Sequence, residues 1–299
     1  MLITRQNLLN TTTAFTTVFN NAFAGYTPTW NRVAMEVPSS TRTNDYRWLG
    51  KLKGMREWVG DRVLNNLEES GYQIRNKHFE NTVEVDADDF ADDQIGIYTP
   101  MIADLGQTAA EHPDTLVFSL LRTADSTLCY DGQYMADTDH PVVNAAGATV
   151  SVSNFQAGGT EPWFLMVTKR VIKPVIFQNR QPTKFVALDH PDDPTVVMKR
   201  KFIYGVDDRK NVGFGLWQLM FMSRAALTPD NYAAARAAIM AFTGDGGRPL
   251  NLVPDLLATG GNNEGAGRKI VKNATLTGGG DNEWVGTADL FVSPLLTGA

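Results

Sequence analysis

The sequence predicts an α+β protein, and three observations carry that reading. A block from Trp163 to Met222 holds five strand patterns in succession with no helix between them: Trp163 to Val167, Val171 to Phe177, Lys184 to Leu188, Thr195 to Met198 and Phe214 to Met222. Strands in such a run form an antiparallel or mixed sheet rather than a doubly wound one. Ahead of the block, Tyr98, Ile102, Leu105 and Ala109 step by four, three and four, the period of a long helix. Behind it, Thr228 caps a second helix, Pro229 takes its first position and Asp230 complements its dipole.

The elements follow in chain order. Residues 1–31 carry one charge, Arg5. Leu8, Phe15, Phe19 and Phe23 fall near one helical face, with Val18 and Ala22 beside them. Thr11-Thr12-Thr13 has poor helix propensity, so a helix here needs tertiary support. A segment this poor in charge is badly solvated alone and reads as an arm that lies on protein. Val33, Met35 and Val37 alternate as a short strand that Pro38-Ser39-Ser40 ends. Residues 46–80 set Tyr46, Trp48 and Trp58 among Arg47, Lys51, Lys53, Arg56, Glu57, Asp61 and Arg62. Too sparse in apolar residues for a core of its own, this stretch suits a protruding segment that packs on a neighbour, or a surface hairpin folded back.

Thr82, Val83 and Val85 predict a strand, and the acidic run Asp86 to Asp93 then sits where carboxylates cap a following helix. Leu116, Leu120 and Thr123 resume the helical pattern after Pro113, which implies a kink or break near His112. In the late helix Tyr232, Ile239 and Phe242 mark the buried side, Gly244 is the expected C-terminal cap, and Pro249 prevents resumption. Leu252 to Leu257 and Leu290 to Val292 read as short strands flanking a loop from Gly260 to Gly267.

Composition bounds the function. The 299 residues suffice for one large domain or two modest ones, and 43% apolar with 20% charged residues is a globular balance. The longest apolar run, near Phe214 to Met222, falls short of the roughly 18 residues of a membrane helix, and the first residues do not form a signal peptide. Cys129 is the single cysteine, so no internal disulfide forms and a reducing compartment fits. The net charge of −6 without a long basic run argues against a sequence-reading DNA binder.

Candidate chemistry is thin. Asp131, Asp137, Asp139 and His140 are possible metal ligands, and a metal-dependent hydrolase centred on Asp137, Asp139 and His140 is the rival reading. Counted from Asp137 as a calcium loop, the sixth position is Val142 instead of Gly and the twelfth Ala148 instead of Glu. A zinc hydrolase wants a second nearby His, and turn formation alone explains short Asp and Gly clusters. Cys129 has no adjacent base, and Gly244-Asp245-Gly246-Gly247 lacks the Lys-Ser/Thr of a phosphate loop. No catalytic residue, metal or cofactor is expected.

Several stretches resemble, in family order over most of the chain, the Mu-like phage major head subunit family. They are Ser39 to Arg42, Trp48-Leu49-Gly50, Glu57-Trp58-Val59-Gly60-Asp61-Arg62, Asp88-Asp89-Phe90 with Asp92-Asp93 and Gly96-Ile97-Tyr98, Cys129 to Pro141, Lys173 to Gln178, Gly213 to Gln218 and Gly244 to Leu250. The resemblance implies the tailed-phage major capsid fold: an N-terminal arm at 1–45, an E-loop at 46–85, a peripheral domain with a long spine helix at 86–225, and an axial domain at 226–299. It implies a structural subunit, no enzyme, that self-assembles into hexamers and pentamers of an icosahedral head around double-stranded DNA. Phe15, Phe19, Trp48, Arg56, Trp58 and Arg62 are the inter-subunit contacts expected on that basis. The implied partners are a scaffold or maturation protease and decoration and portal proteins, with DNA packaged without sequence-specific contacts and no membrane. The implied location is the virion capsid, assembled in the bacterial cytoplasm. A host nanocompartment shell is the other assembly reading.

Overall fold

A computed structural model of the chain describes residues 2–49, 71–275 and 279–298. The first element is a helix, α1 (Arg5–Gly25), capped by the Thr4 hydroxyl, which accepts from Asn7 N–H at 3.2 Å. Its threonines are absorbed locally: the hydroxyls of Thr13, Thr16 and Thr17 donate to the carbonyls four residues earlier. Leu8, Thr11, Phe15 and Phe19 are its buried face. The tertiary support that the sequence demands comes from the chain's own long helix.

Strands β1 (Ala34–Pro38), β2 (Thr43–Asp45), β3 (Gln73–Arg75) and β4 (Lys77–Asp86) follow. Strands β2 and β3 pair antiparallel, and the Trp58 segment that starts beyond Leu49 lies outside the described residues. Asp86 does cap a helix, but a short one, α2 (Ala87–Ala91), accepting from Asp88 N–H at 2.8 Å. The spine helix α3 (Thr99–Arg122) begins without a side-chain cap and carries Pro100 in its first turn. It runs unbroken through Pro113, so of the kink or break expected there the break does not occur. A proline removes one helical hydrogen bond, and here the helix is buried on both sides of it, at Leu105, Ala109, Val117, Phe118 and Leu121.

Next come the hairpin β5 (His140–Val143) and β6 (Thr149–Val152), then β7 (Phe155–Gln156) and β8 (Trp163–Met166). Two of the expected strands fuse into one, β9 (Val175–Leu188), with Pro182 accommodated where the register to its partner shifts. Thr195 to Met198 is not a strand: Pro194 opens a short helix, α4 (Pro194–Lys199). Strand β10 (Lys201–Phe214), which had no counterpart in the sequence reading, returns antiparallel to β9. Its charged residues hid it, and two of them, Asp208 and Lys210, form a buried ion pair at 2.7 Å.

The remaining elements are β11 (Met220–Ser223), α5 (Pro229–Ala241), β12 (Thr243–Gly244), β13 (Arg248–Pro249), β14 (Leu256–Thr259), α6 (Glu264–Val271) and β15 (Asp289–Val292). Thr228 caps α5 as expected, accepting from Asn231 N–H at 3.2 Å. Gly244 does not end it: Phe242 turns extended, and Thr243–Gly244 pairs with Arg248–Pro249 across Gly246 and Gly247, both at positive φ. The expected loop at 260–267 is a 3-10 turn, Gly261–Asn263, followed by α6.

Two sheets organise the molecule. One has the order β1-β9-β10-β4, the other β15-β14-β8-β11-β7. The second takes strands from both sides of residue 225, so a domain boundary placed there would cut a sheet. Of the two cores, the larger joins the five-stranded sheet, α5 and α6 to the near ends of β9 and β10 and the C-terminal half of α3. The smaller packs α1, α2 and the N-terminal half of α3 against the far ends of β4 and β10.

Candidate functional site

The Cys129 to Pro141 box closes around a buried polar node. His140 is fully enclosed and stacks on Trp217, rings 4.1 Å apart and 8° from parallel. Its Nδ1 faces Asp131 Oδ2 at 2.7 Å and its Nε2 faces Asn154 Oδ1 at 3.1 Å. The Asn154 amide is oriented by its surroundings: Nδ2 donates to the carbonyls of Met135, Trp217 and Met220, at 2.8, 3.3 and 3.2 Å. Oδ1 therefore accepts, from Asp137 N–H at 2.8 Å and from His140. Both imidazole nitrogens thus face oxygens, the Asp131 carboxyl on one side and the Asn154 amide carbonyl on the other.

Asp131 is held as the carboxylate. Burial pushes its pKa up, but the bonds from His140, from the Cys129 thiol (3.0 Å) and from Gln133 N–H (3.1 Å) outweigh burial and hold the carboxyl below its usual range. The same surroundings keep Cys129 protonated. Burial first, then the neighbouring Asp131 charge, push the thiol up, so it is not a nucleophile.

Cys129, Asp131 and His140 bring three metal-type donors together. The separations of 2.7 and 3.0 Å are hydrogen bonds. Neighbouring ligands of tetrahedral zinc stand about 3.3 Å or more apart, given bonds of about 2.0–2.3 Å. Protons bridge this node. The rival hydrolase trio does not converge either. Asp137 accepts from Tyr134 N–H at 3.2 Å and Thr138 N–H at 2.7 Å as a turn former, Asp139 is exposed, and His140 points its nitrogens at Asp131 and Asn154. The node is a clamp that ties the box to β7 and β11.

The expected contact residues separate into three groups. Phe15 and Phe19 are enclosed by their own chain: Phe15 meets Tyr204 edge-on at 5.0 Å and Phe19 tilts against Phe185 at 5.3 Å. An almost uncharged helix finds its apolar partners on α3, β9 and β10, and these two rings hold α1 to the body. Trp48 stands 36% exposed beside Tyr46, whose hydroxyl donates to Gln178 at 2.7 Å. Arg56, Trp58 and Arg62 lie outside the described residues.

Sequence reasoning missed two features. Leu9, Ile97, Met101, Val197 and Met198 are exposed apolar side chains on α1, the 3-10 turn Ile95–Tyr98 before α3, α3 and α4, elements that all contribute to or adjoin the smaller core, and Leu2 is another just ahead of α1. Asp114 is a buried carboxylate on α3, and its signal was an acidic residue inside an apolar helical stripe.

Comparison with known proteins follows the same path. The sequence model for the Mu-like prophage major head subunit gpT matches residues 8–296. Over 305 aligned positions the chain is 35% identical to the major capsid protein of Escherichia phage Mu, covering 99% of this chain and 100% of that protein. It is 41% identical over 243 residues to the Mu-like prophage FluMu major head subunit of Haemophilus influenzae, 79% of each. It is similar to a chain from the procapsid of bacteriophage JBD30 with a TM-score of 0.84 and 38% identity, over 98% of this chain and 99% of that one.

Proposed function

The chain belongs to the Mu-like prophage major head subunit family and is a major capsid protein, and from that premise we propose how it assembles. Copies close into hexamers and pentamers by heterologous contacts, and these tile an icosahedral head around double-stranded DNA. Assembly takes place in the bacterial cytoplasm, with a scaffold or maturation protease to set the size and with decoration and portal proteins joining the shell. The net charge of −6 suits a wall that encloses DNA without adhering to it.

We assign the arm to residues 1–45 and the E-loop to 46–85. The peripheral domain, 86–225, is built on α3, β9 and β10, with β1 of the arm and β4 of the E-loop segment completing its four-stranded sheet, and the axial domain, 226–299, carries α5 and α6 and shares the five-stranded sheet with it. Trp48, Trp58, Arg56 and Arg62 anchor the loop on an adjacent subunit. With Phe15 and Phe19 enclosed, the arm meets neighbours through its exposed apolar residues Leu2 and Leu9. Many modest contacts per subunit then act together.

The observation that supports this reading is the end-to-end similarity to a procapsid chain. Electron microscopy of the protein expressed in bacteria tests it. Closed particles of uniform diameter built on six- and five-fold rings are the expected outcome; a folded monomer that stays single at high concentration overturns it.

A further inference from the structure

The geometry points to Asp114 as the residue that sets the direction of the N-terminal arm, an inference that rests on the arm's assembly role. The chain leaves α1 at Gly25, turns a corner over Tyr26 to Trp30, and enters β1. At the corner a 3-10 turn, Trp30–Arg32, begins with no side-chain cap of its own. Its free backbone donors are met from another element. Asp114, in the interior of α3, accepts from Thr29 N–H at 3.0 Å and Trp30 N–H at 2.7 Å. It also accepts from the Tyr26 hydroxyl at 2.6 Å and the Thr29 hydroxyl at 2.8 Å. One carboxylate, 1% exposed, thus gathers every one of these donors from a five-residue corner. Burial, and then the bond to Asp114, push the Tyr26 phenol up, so it stays a donor.

Trp30 packs on Phe177, rings 4.6 Å apart, but the rest of the corner has open space on both flanks. A cavity of about 210 Å³ on one flank is bounded by Phe23, Tyr26, Trp30 and Pro113. Another of about 330 Å³ opens on the other flank, against Phe291 and Leu295. A carboxylate buried at this point on α3 would be costly without donors, and the corner supplies them in one geometry only. Asp114 is therefore a positioning residue. It fixes the angle at which α1 leaves the body, while Leu8, Phe15 and Phe19 hold α1 down along its length.

The test combines two readouts on Asp114→Asn, which keeps the shape but leaves one accepting oxygen. Amide exchange at Thr29 and Trp30 should speed up by roughly tenfold. The distance between spin labels at Asn10 and Ser119, measured in particles diluted with unlabelled subunits, should broaden, although a purely local loss of stability would leave it sharp. Tyr26→Phe with Thr29→Val removes two donors from the other side and should give the same broadening, which keeps the test open if Asp114→Asn does not fold. An unchanged sharp distance in the variants that fold overturns the inference. Absence of particles from the unsubstituted protein would instead count against the assembly reading.

Discussion

Gly106 offers a test in which two effects of opposite sign compete. It sits within α3, where alanine in place of glycine normally gains about 1 kcal/mol of helix stability. The arm reverses that expectation. A Cβ at Gly106 would lie 2.6 Å from the carbonyl oxygen of Phe19 and 3.1 Å from Ala22 Cβ. The first separation is about 0.8 Å inside ordinary van der Waals contact, and the obstructing atom belongs to the backbone of α1, which cannot rotate away. The arm must shift, or α3 must bend. Overpacking of this kind costs about 1–3 kcal/mol, so once the propensity gain of about 1 kcal/mol is subtracted Gly106→Ala gives no gain and a destabilisation of up to about 2 kcal/mol. Gly25, the last residue of α1, has open space at its Cβ, so Gly25→Ala serves as the matched control and should be near neutral. Urea unfolding of the unassembled subunit gives the energies, and amide exchange along residues 5–25 locates the loss. If Gly106→Ala is more stable than the unsubstituted protein and arm protection is unchanged, α1 does not rest on its own α3 in solution, and the account of the arm given above is wrong.

Phe15→Ala, which empties a buried ring position against Tyr204, should cost about 3–5 kcal/mol in the same unfolding experiment. The Asp131 carboxyl is held below its usual range, so the stability it contributes is complete above the unfolded value near ~3.9 and is lost as pH falls through the lower folded value. Asp131→Asn should therefore be less stable than the unsubstituted protein by a constant amount near neutrality, with the gap narrowing only in acid below about pH 4; a gap that persists undiminished to about pH 2 would show that Asp131 is not the ionised partner of His140. Asn154→Leu strands the acceptors at Met135, Trp217 and Met220 and a donor on His140, and should lower stability by at least about 3 kcal/mol, read as a fall in melting temperature. Trp58→Ala should cut particle yield in electron micrographs and leave the subunit's melting temperature unchanged, whereas normal particles would remove Trp58 from the proposed loop anchor.

What could be read from the sequence follows from how local each signal is. The late helix was legible because Thr228, Pro229 and Asp230 act within one turn of its start. The spine helix was legible from the spacing of Ile102, Leu105 and Ala109, but its continuity was not: whether a chain breaks at Pro113 depends on what buries the turns on either side. Strand β10 was invisible because Asp207, Asp208, Arg209 and Lys210 read as a loop, and only the pairing with β4 and β9 makes them a strand. Of the polar node, Asp131 and His140 stood out by residue type, yet Asn154 did not, because its role is to join groups from two distant stretches, 135–140 and 217–220. The enclosure of Phe15 and Phe19 was half legible: their common face was evident, but which surface receives it is a tertiary fact.

The three longest body elements explain how one chain keeps two cores in fixed relation. Strands β9 and β10, of 14 residues each, span about 46 Å, and α3, of 24 residues, about 36 Å. All three enter both cores. Ile102, Leu105 and Ala109 of α3 pack beneath the arm, while Val117, Phe118 and Leu121 reach the core beneath the five-stranded sheet. Between those halves lie Pro113, which gives up a helical hydrogen bond, and Asp114, which turns its acceptors outward to the corner over Tyr26 to Trp30. The same turn of helix that is least able to satisfy itself is the one that fixes where the arm begins. A fully apolar turn at that point would pack the two cores more continuously, but it would leave the backbone donors of Thr29 and Trp30 buried without partners, and the arm without a defined angle to the body.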